Sequence, residues 1–504
     1  MALAGLLVAA IERRRSWVIS ILGIVSVALL SLGAYSTVRA LSVAPIPHAT
    51  SPPVTGMPAA KRWVRKKAVL GTTVVLDPVP DVSKARQIVL ITLDTARADH
   101  FSLYGYERNT TPHLAAMASN EGIVFERAYA SSPWTRPSTV SLMTSLSPQS
   151  HGVESPSQAI GAGVPTLAAA LYADGFRTAA LVTNGHAGLS ANVHSGFEEF
   201  WQVQRFVAGA MKVLALDWIA LHADEPFFLY LHFIDPHADY KPPYDFENTF
   251  TDPAYDGNLT GRFDEMRSFI SKERQLPPED LAHVVGLYNG EIAYTDRQLG
   301  LFFDALSERG LWDGLLVIIL ADHGEEFEDH GGLGHCRTLY EELVRMPLLV
   351  KLPGGRPTSF AARVQERVRI IDVSPTILQL AGSPMPEAFR GKSLIDPMRG
   401  LAPDRDAYVR TRGCDGRLPL KEALLHERFK IIRSADGATE LYDLAADPYE
   451  RRDLASDEPE LLNRMRDRLD ELTVETKTTR PAVKTLSATE RAQLRALGYL
   501  PAQP

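Results

Sequence analysis

The hydrophobic pattern changes character along the chain. From about Gln87, short uninterrupted apolar runs alternate with segments of helical period. The runs are QIVLITL (87–93), TAALVT (178–183), FFLYLHFI (227–234) and LLVIILA (315–321). Runs of this length without polar alternation fit strands covered on both faces of a sheet. Between them PHLAAMAS, TLAAALYADG and the long stretch from Glu279 to Gly310 carry apolar residues at helical spacing. The alternation predicts an α/β fold, a large mainly parallel sheet with helices on both faces and ligands beyond the carboxyl ends of its strands. After about residue 395 the pattern shifts. KEALLHERFKIIRSADGATELYDL reads as hairpin strands and EPELLNRMRDRLDEL as an amphipathic helix, together a small C-terminal α+β subdomain. Ser487 and Glu490 have the spacing of a capping box that opens a final helix.

The first part of the chain reads differently. Arg13, Arg14 and Arg15 precede residues 17–34, an uncharged run long enough to span a bilayer core. The flanking arginines predict a cytoplasmic N-terminus with the remainder extracytoplasmic, held by an uncleaved anchor in preference to a cleavable signal peptide. Residues 41–60 are rich in Pro, Ser and Ala without an apolar period and read as linker; the basic cluster KRWVRKK follows. The expected organisation is an anchor over 1–40, a linker over 41–84, a catalytic domain over 85–394 and the C-terminal subdomain over 395–504.

Composition adds bounds. With 504 residues, 45% hydrophobic and 23% charged, the chain can bury a large core, and its formal net charge of −8 argues against a nucleic-acid partner. The two cysteines, Cys336 and Cys414, have neither a C-x-x-C nor a zinc-finger spacing and can pair only if the fold brings them together.

Chemistry gathers at the predicted strand ends. Asp94 closes the first run, Asp235 and His237 the third, and Asp322 with His323 the last. One such residue is commonly a cap or turn. Three apolar strands that end in Asp-rich, His-containing turns point to a shared metal or oxyanion site. In residues 131–153, SSPWTRPSTVSLMTSLSPQSHGV, Thr135 stands two residues before Pro137, where a helix start presents free N–H groups and a positive dipole end. Carboxylates, one imidazole and a hydroxyl suit one divalent cation, Ca²⁺, Mn²⁺ or Mg²⁺, with Zn²⁺ also admitted. The expected metal set is Asp94, Thr135, Asp322 and His323.

The same stretch resembles the signature of the sulfatases, in the alkaline phosphatase superfamily: C-x-P-S-R, then L-T-G, then P-x-x-H-G. Thr135 falls where that family has the cysteine matured to formylglycine. Pro137, Ser138, Met143, Thr144, Pro148, His151 and Gly152 are in register, while Thr139 replaces an arginine and Ser145 a glycine. LDTARADHFSLYGY and ADHGEEFEDHGGLGH resemble the family's first and last metal turns, with Thr95 where many members have a second aspartate. The resemblance implies that His237 and His335 bind substrate, that Asn184 and His186 match a lysine–histidine pair, and that a small antiparallel sheet packs on the large domain. The implied activity is metal-dependent cleavage of an anionic sulfate or phosphate ester. Thr135 would be the nucleophile, and His237, His335 and His186 the groups that donate to oxygens or protonate the leaving group. Two alternatives accompany it: an inactive sulfatase-like binding protein, and an extracytoplasmic phospho-headgroup transferase.

Overall fold

The computed structural model describes residues 61–62, 70–203, 206–270, 276–474 and 479–496. The apolar segment 17–34 lies outside these residues, as does most of the expected linker. Among the described residues no helix is long and apolar enough to cross a membrane. Residues 58–504 form one compact unit.

Nine strands make the main sheet. In chain order they are β1 (Lys61–Arg62), β2 (Gln87–Leu93), β3 (Gly122–Phe125), β4 (Arg177–Val182), β5 (Glu199–Gln202), β6 (Phe227–Phe233), β7 (Leu315–Ala321), β8 (Leu348–Lys351) and β9 (Arg363–Val364), arranged β1-β5-β4-β6-β2-β7-β8-β3-β9. The five central strands, β5-β4-β6-β2-β7, are all parallel. Their side chains are almost wholly buried because helices cover both faces, which is why these strands read as continuous apolar runs. The register sets Leu93 beside Ala321 on one side and beside Phe233 on the other. The residues that follow or end β2, β6 and β7 therefore emerge at one edge.

Part of the stretch expected as linker is drawn into the fold. Lys61–Arg62 pair with Phe200 and Glu199, and Thr73–Val74 pair with Met385–Pro386. Edge pairing uses backbone N–H and C=O groups and needs no apolar period, so side-chain patterning is blind to it.

The helices that bear on the site are α1 (Thr135–Thr144), α2 (Ala208–His222), α3 (Pro278–Glu308), α4 (Pro459–Val474) and α5 (Ala488–Ala496). Beyond the large sheet, β10 (Ala407–Thr411), β11 (Lys421–His426), β12 (Phe429–Ser434) and β13 (Thr439–Asp443) form an antiparallel meander. Alternation divides its faces. Leu424, Ile431 and Leu441 pack on Leu462, Met465 and Leu469 of α4; Ala423, Leu425 and Ile432 pack on Tyr129, Leu343 and Val344 of the large domain.

The C-terminal residues then return across the large domain as a strap. Ala482–Val483 pair with Gln158–Ala159. Gly152, with φ +70°, permits this approach, since a Cβ there would sit 2.9 Å from Cδ of Pro481. The capping box forms: Ser487 N–H donates to Glu490 (2.8 Å), and Glu490 N–H donates to Ser487 Oγ (3.1 Å). Leu494 of α5 is buried against Trp134, Ile234 and Cys336. Cys336 and Cys414 are joined by a disulfide.

Candidate active site

Asp94 leaves the end of β2, and Asp322 and His323 leave the end of β7 beside it. Helix α1 aims its first residue at both. Thr135 Oγ1 donates to Oδ1 of Asp94 at 3.4 Å and lies 3.3 Å from Nε2 of His323. Nε2 of His323 stands 3.7 Å from both Asp94 Oδ1 and Asp322 Oδ2. All four residues have no exposure. Nδ1–H of His323 donates to Gly324 O at 2.8 Å, so its Nε2 presents a lone pair to the cluster. The expected metal set is thus brought together.

Helix α1 is locked against this edge by its own hydroxyls. Ser138 Oγ donates to the backbone O of Asp322 at 2.6 Å, and Ser141 Oγ lies 3.1 Å from Nε2 of His151. Ser145 ends the helix in the left-handed region, φ +53°, where glycine is favoured. Its Oγ holds it there by donating to Ile371 O and accepting from Gly391 N–H.

Electrostatics argue for a cation. Burial pushes the Asp94 carboxyl well above the ordinary range, and the facing Asp322 pushes it the same way, against His232 and the Asn184 amide. Burial would raise Asp322 too, but His323 and His232 bring it down to about 2. Two facing buried carboxylates cannot both stay ionised without a positive partner. Asp322 Oδ2 has no hydrogen-bond partner, and buried carboxylate oxygens are rarely left so. Burial brings His323 down to about 4, which keeps it neutral and fit to ligate. These residues fit a divalent cation.

The surrounding residues sort into distinct roles. Asn184, expected to bind substrate, instead holds the cluster: Nδ2 donates to Asp94 Oδ2 (2.6 Å) and Thr135 Oγ1 (3.4 Å), and Oδ1 accepts from His186 N–H. Its amide hydrogens are thereby spent within the site. His186 accepts at Nδ1 from Nε of the buried Arg136 (3.0 Å), which leaves the proton on Nε2. Burial, then Arg136, His237 and His335, press its pKa well below the ordinary range. His237 and His335 meet edge to face at 5.3 Å, and His335 lies 4.7 Å from the His323 ring. The three histidines form one wall of the site.

Asp235 does not join them. Its Oδ2 accepts the N–H of Ala208 at 2.7 Å, at the start of α2. Three residues of the site carried no signal at the strand ends: His232 on β6, Arg136, and Glu325, which pairs with His335. The one hint for His232 was a polar residue inside an apolar run.

A family model described as Sulfatase matches residues 86–383, and another, N-sulphoglucosamine sulphohydrolase, C-terminal, matches 329–475. The chain belongs to the sulfatase family. Membership places it among ester hydrolases. An arylsulfatase of Clostridium perfringens is 24% identical over 438 residues, 74% of this chain and 90% of that protein. The multifunctional alkaline phosphatase superfamily protein PehA of Trinickia caryophylli is 28% identical over 281 residues, 48% of this chain and 54% of its own length. The crystal structure of a phosphonate monoester hydrolase of Agrobacterium radiobacter shares the fold, with TM-score 0.64 at 21% identity over 77% of this chain and 95% of that one. In this sulfatase-family site, the turn that opens α1 carries its guanidinium at Arg136, and position 139 is a buried threonine.

Proposed function

We propose that this sulfatase-family protein hydrolyses phosphate mono- or diesters faster than sulfate esters, with Thr135 as nucleophile beside one divalent cation. The observation that carries it is Thr135 Oγ1 within 3.4 Å of Asp94 Oδ1 and 3.3 Å of His323 Nε2, at the first turn of a helix. The cation, held by Asp94, Asp322, His323 and Thr135, supplies charge that lowers the hydroxyl pKa and stabilises the ester oxygens. Asp94 Oδ1 takes the hydroxyl proton as Oγ1 attacks in line. Nε2–H of His186, set by Arg136, donates to a non-bridging oxygen. His237 and His335 serve the departing alcohol.

The single hydroxyl of Thr135 decides the substrate class. Hydrated formylglycine has two, one to attack and one to drive release by collapse to the aldehyde. A threonine ester lacks that exit. Phosphothreonine is relieved by a second in-line displacement by water, whereas sulfothreonine requires attack of water at sulfur.

Aryl phosphate, aryl phosphodiester and aryl sulfate compared on one metal-loaded preparation, with Thr135→Ala as control, test this. Multiple turnover of the sulfate alone would overturn the substrate class, and activity surviving in Thr135→Ala would overturn the nucleophile.

Export is part of the same proposal. The uncharged segment 17–34 behind three arginines would anchor the chain with its catalytic part outside the cytoplasm. The Cys336–Cys414 disulfide supports an oxidising compartment. Protease added to spheroplasts should remove the catalytic part; full protection would refute the orientation.

A further inference from the structure

His232 lies in the middle of the catalytic sheet with no exposure and no hydrogen-bond partner at either ring nitrogen. A buried imidazole without partners is costly, and such groups in native folds mark an ion, a water or a function. Its Nε2 stands 3.8 Å from Asp322 Oδ2 and 4.0 Å from Asp94 Oδ2. Those separations match the 3.7 Å by which His323 Nε2 stands from Asp322 Oδ2 and Asp94 Oδ1. Donors sharing one cation at about 2.0–2.3 Å lie roughly 3 to 4.5 Å apart. Asp322 Oδ2, itself without a partner, sits between the two imidazoles. The two carboxylates thus face one histidine from β7's end and another from β6.

We propose that His232 is a further ligand of the cation, so that the centre has two imidazole nitrogens and selects Mn²⁺, Fe²⁺ or Zn²⁺ over Ca²⁺ and Mg²⁺. Each added nitrogen donor favours the borderline transition ions and does little for hard cations, which take oxygen. The inference rests on the metal centre proposed above and assigns that centre its fourth protein side chain besides the Thr135 hydroxyl.

The test uses chelator-stripped full-length protein titrated separately with Zn²⁺, Mn²⁺ and Ca²⁺ by calorimetry, for wild type, His232→Gln and His232→Ala. The expected result is Zn²⁺ and Mn²⁺ binding at least tenfold tighter than Ca²⁺, with that preference falling about tenfold in both variants. A second measurement needs no variant. X-ray absorption on the Zn²⁺-loaded wild type should count two imidazoles. One imidazole, or a fall in Ca²⁺ and Zn²⁺ affinity by the same factor, overturns the role of His232 while leaving the metal centre intact. Wild type that takes up none of the three ions overturns the centre itself, and this inference with it.

Discussion

Oε1 of Glu325 lies 2.7 Å from Nδ1 of His335. Its other oxygen accepts from Tyr240 at 2.9 Å, so a carboxyl buried to 1% exposure is held at both ends. Burial raises the Glu325 carboxyl and brings His335 down to about 3, with His237 adding to the latter. The imidazole is therefore neutral near neutral pH, its Nδ1–H committed to Glu325 and its Nε2 left to face the site. Glu325→Ala should free the ring and lower kcat roughly tenfold to hundredfold, with a smaller change in KM. Steady-state kinetics with the best of the three aryl esters measure this; an unchanged kcat would mean that the pair is only packing.

Occupation of the cation site should be visible in stability as well as in rate. A ligand bound only by the folded form adds about 2.7 kcal/mol at a hundredfold excess over Kd. Chelation should lower the melting temperature of the wild type. Asp322→Ala should lose both the bound metal and that chelator response. Equal melting curves with and without chelator, on protein found free of metal by elemental analysis, would defeat the metal assignment.

The disulfide closes a separation of 78 residues and joins the loop after His335 to the loop after β10. Loop closure of that size limits the unfolded chain, and removing the bridge should cost about 2–4 kcal/mol. Cys336 N–H also donates to Pro133 O at 3.0 Å, two residues before Thr135. The double variant Cys336→Ala, Cys414→Ala should therefore lose activity along with stability. Denaturant unfolding with and without reductant checks it. Identical midpoints would show that the bridge contributes nothing.

Asp372 provides a pH test away from the active site. It is buried between Arg369 (2.8 Å) and Arg405 (3.0 Å), and accepts the N–H of Lys392. Burial would raise its pKa, but the two guanidinium groups prevail and hold it below the ordinary range. A depressed folded pKa stabilises above the unfolded value, about 3.9, and that contribution is lost as pH falls through the folded value. Asp372→Asn should be destabilised by roughly 3 kcal/mol near neutral pH, and its deficit should shrink below about pH 4. Urea unfolding of both proteins across this range decides; a deficit independent of pH would refute the assignment.

Much of this was legible in the sequence because it lies where pattern and chemistry coincide. Asp94, Asp322 and His323 each end an apolar run, and buried parallel strands deliver their last residues to one edge. Thr135 was marked by the proline that follows it. Asp235 ends a run in the same way, yet its carboxylate takes the Ala208 N–H; residue type alone does not separate a cap from a ligand. His232, Arg136 and Glu325 were hidden for a different reason. Their partners lie far along the chain or on a neighbouring strand, and no local period encodes such a contact. The edge pairing of Lys61 and Arg62 was hidden because it is made by backbone alone.

The strap that carries Leu494 onto Trp134 has a bearing on when the enzyme becomes active. Trp134 immediately precedes the Thr135 helix, and its indole also meets the His186 ring edge-on at 5.4 Å. Residues 479–496 are translated after every catalytic side chain. While a ribosome is still short of them, the finished sheet, the aspartates and the nucleophile are already present, but the wall behind Trp134 is open and its apolar surface faces water. Completion of that wall falls at the end of synthesis, so a chain stopped early by a nonsense codon would emerge with an exposed tryptophan beside its nucleophile, a mark that chaperones and proteases read readily.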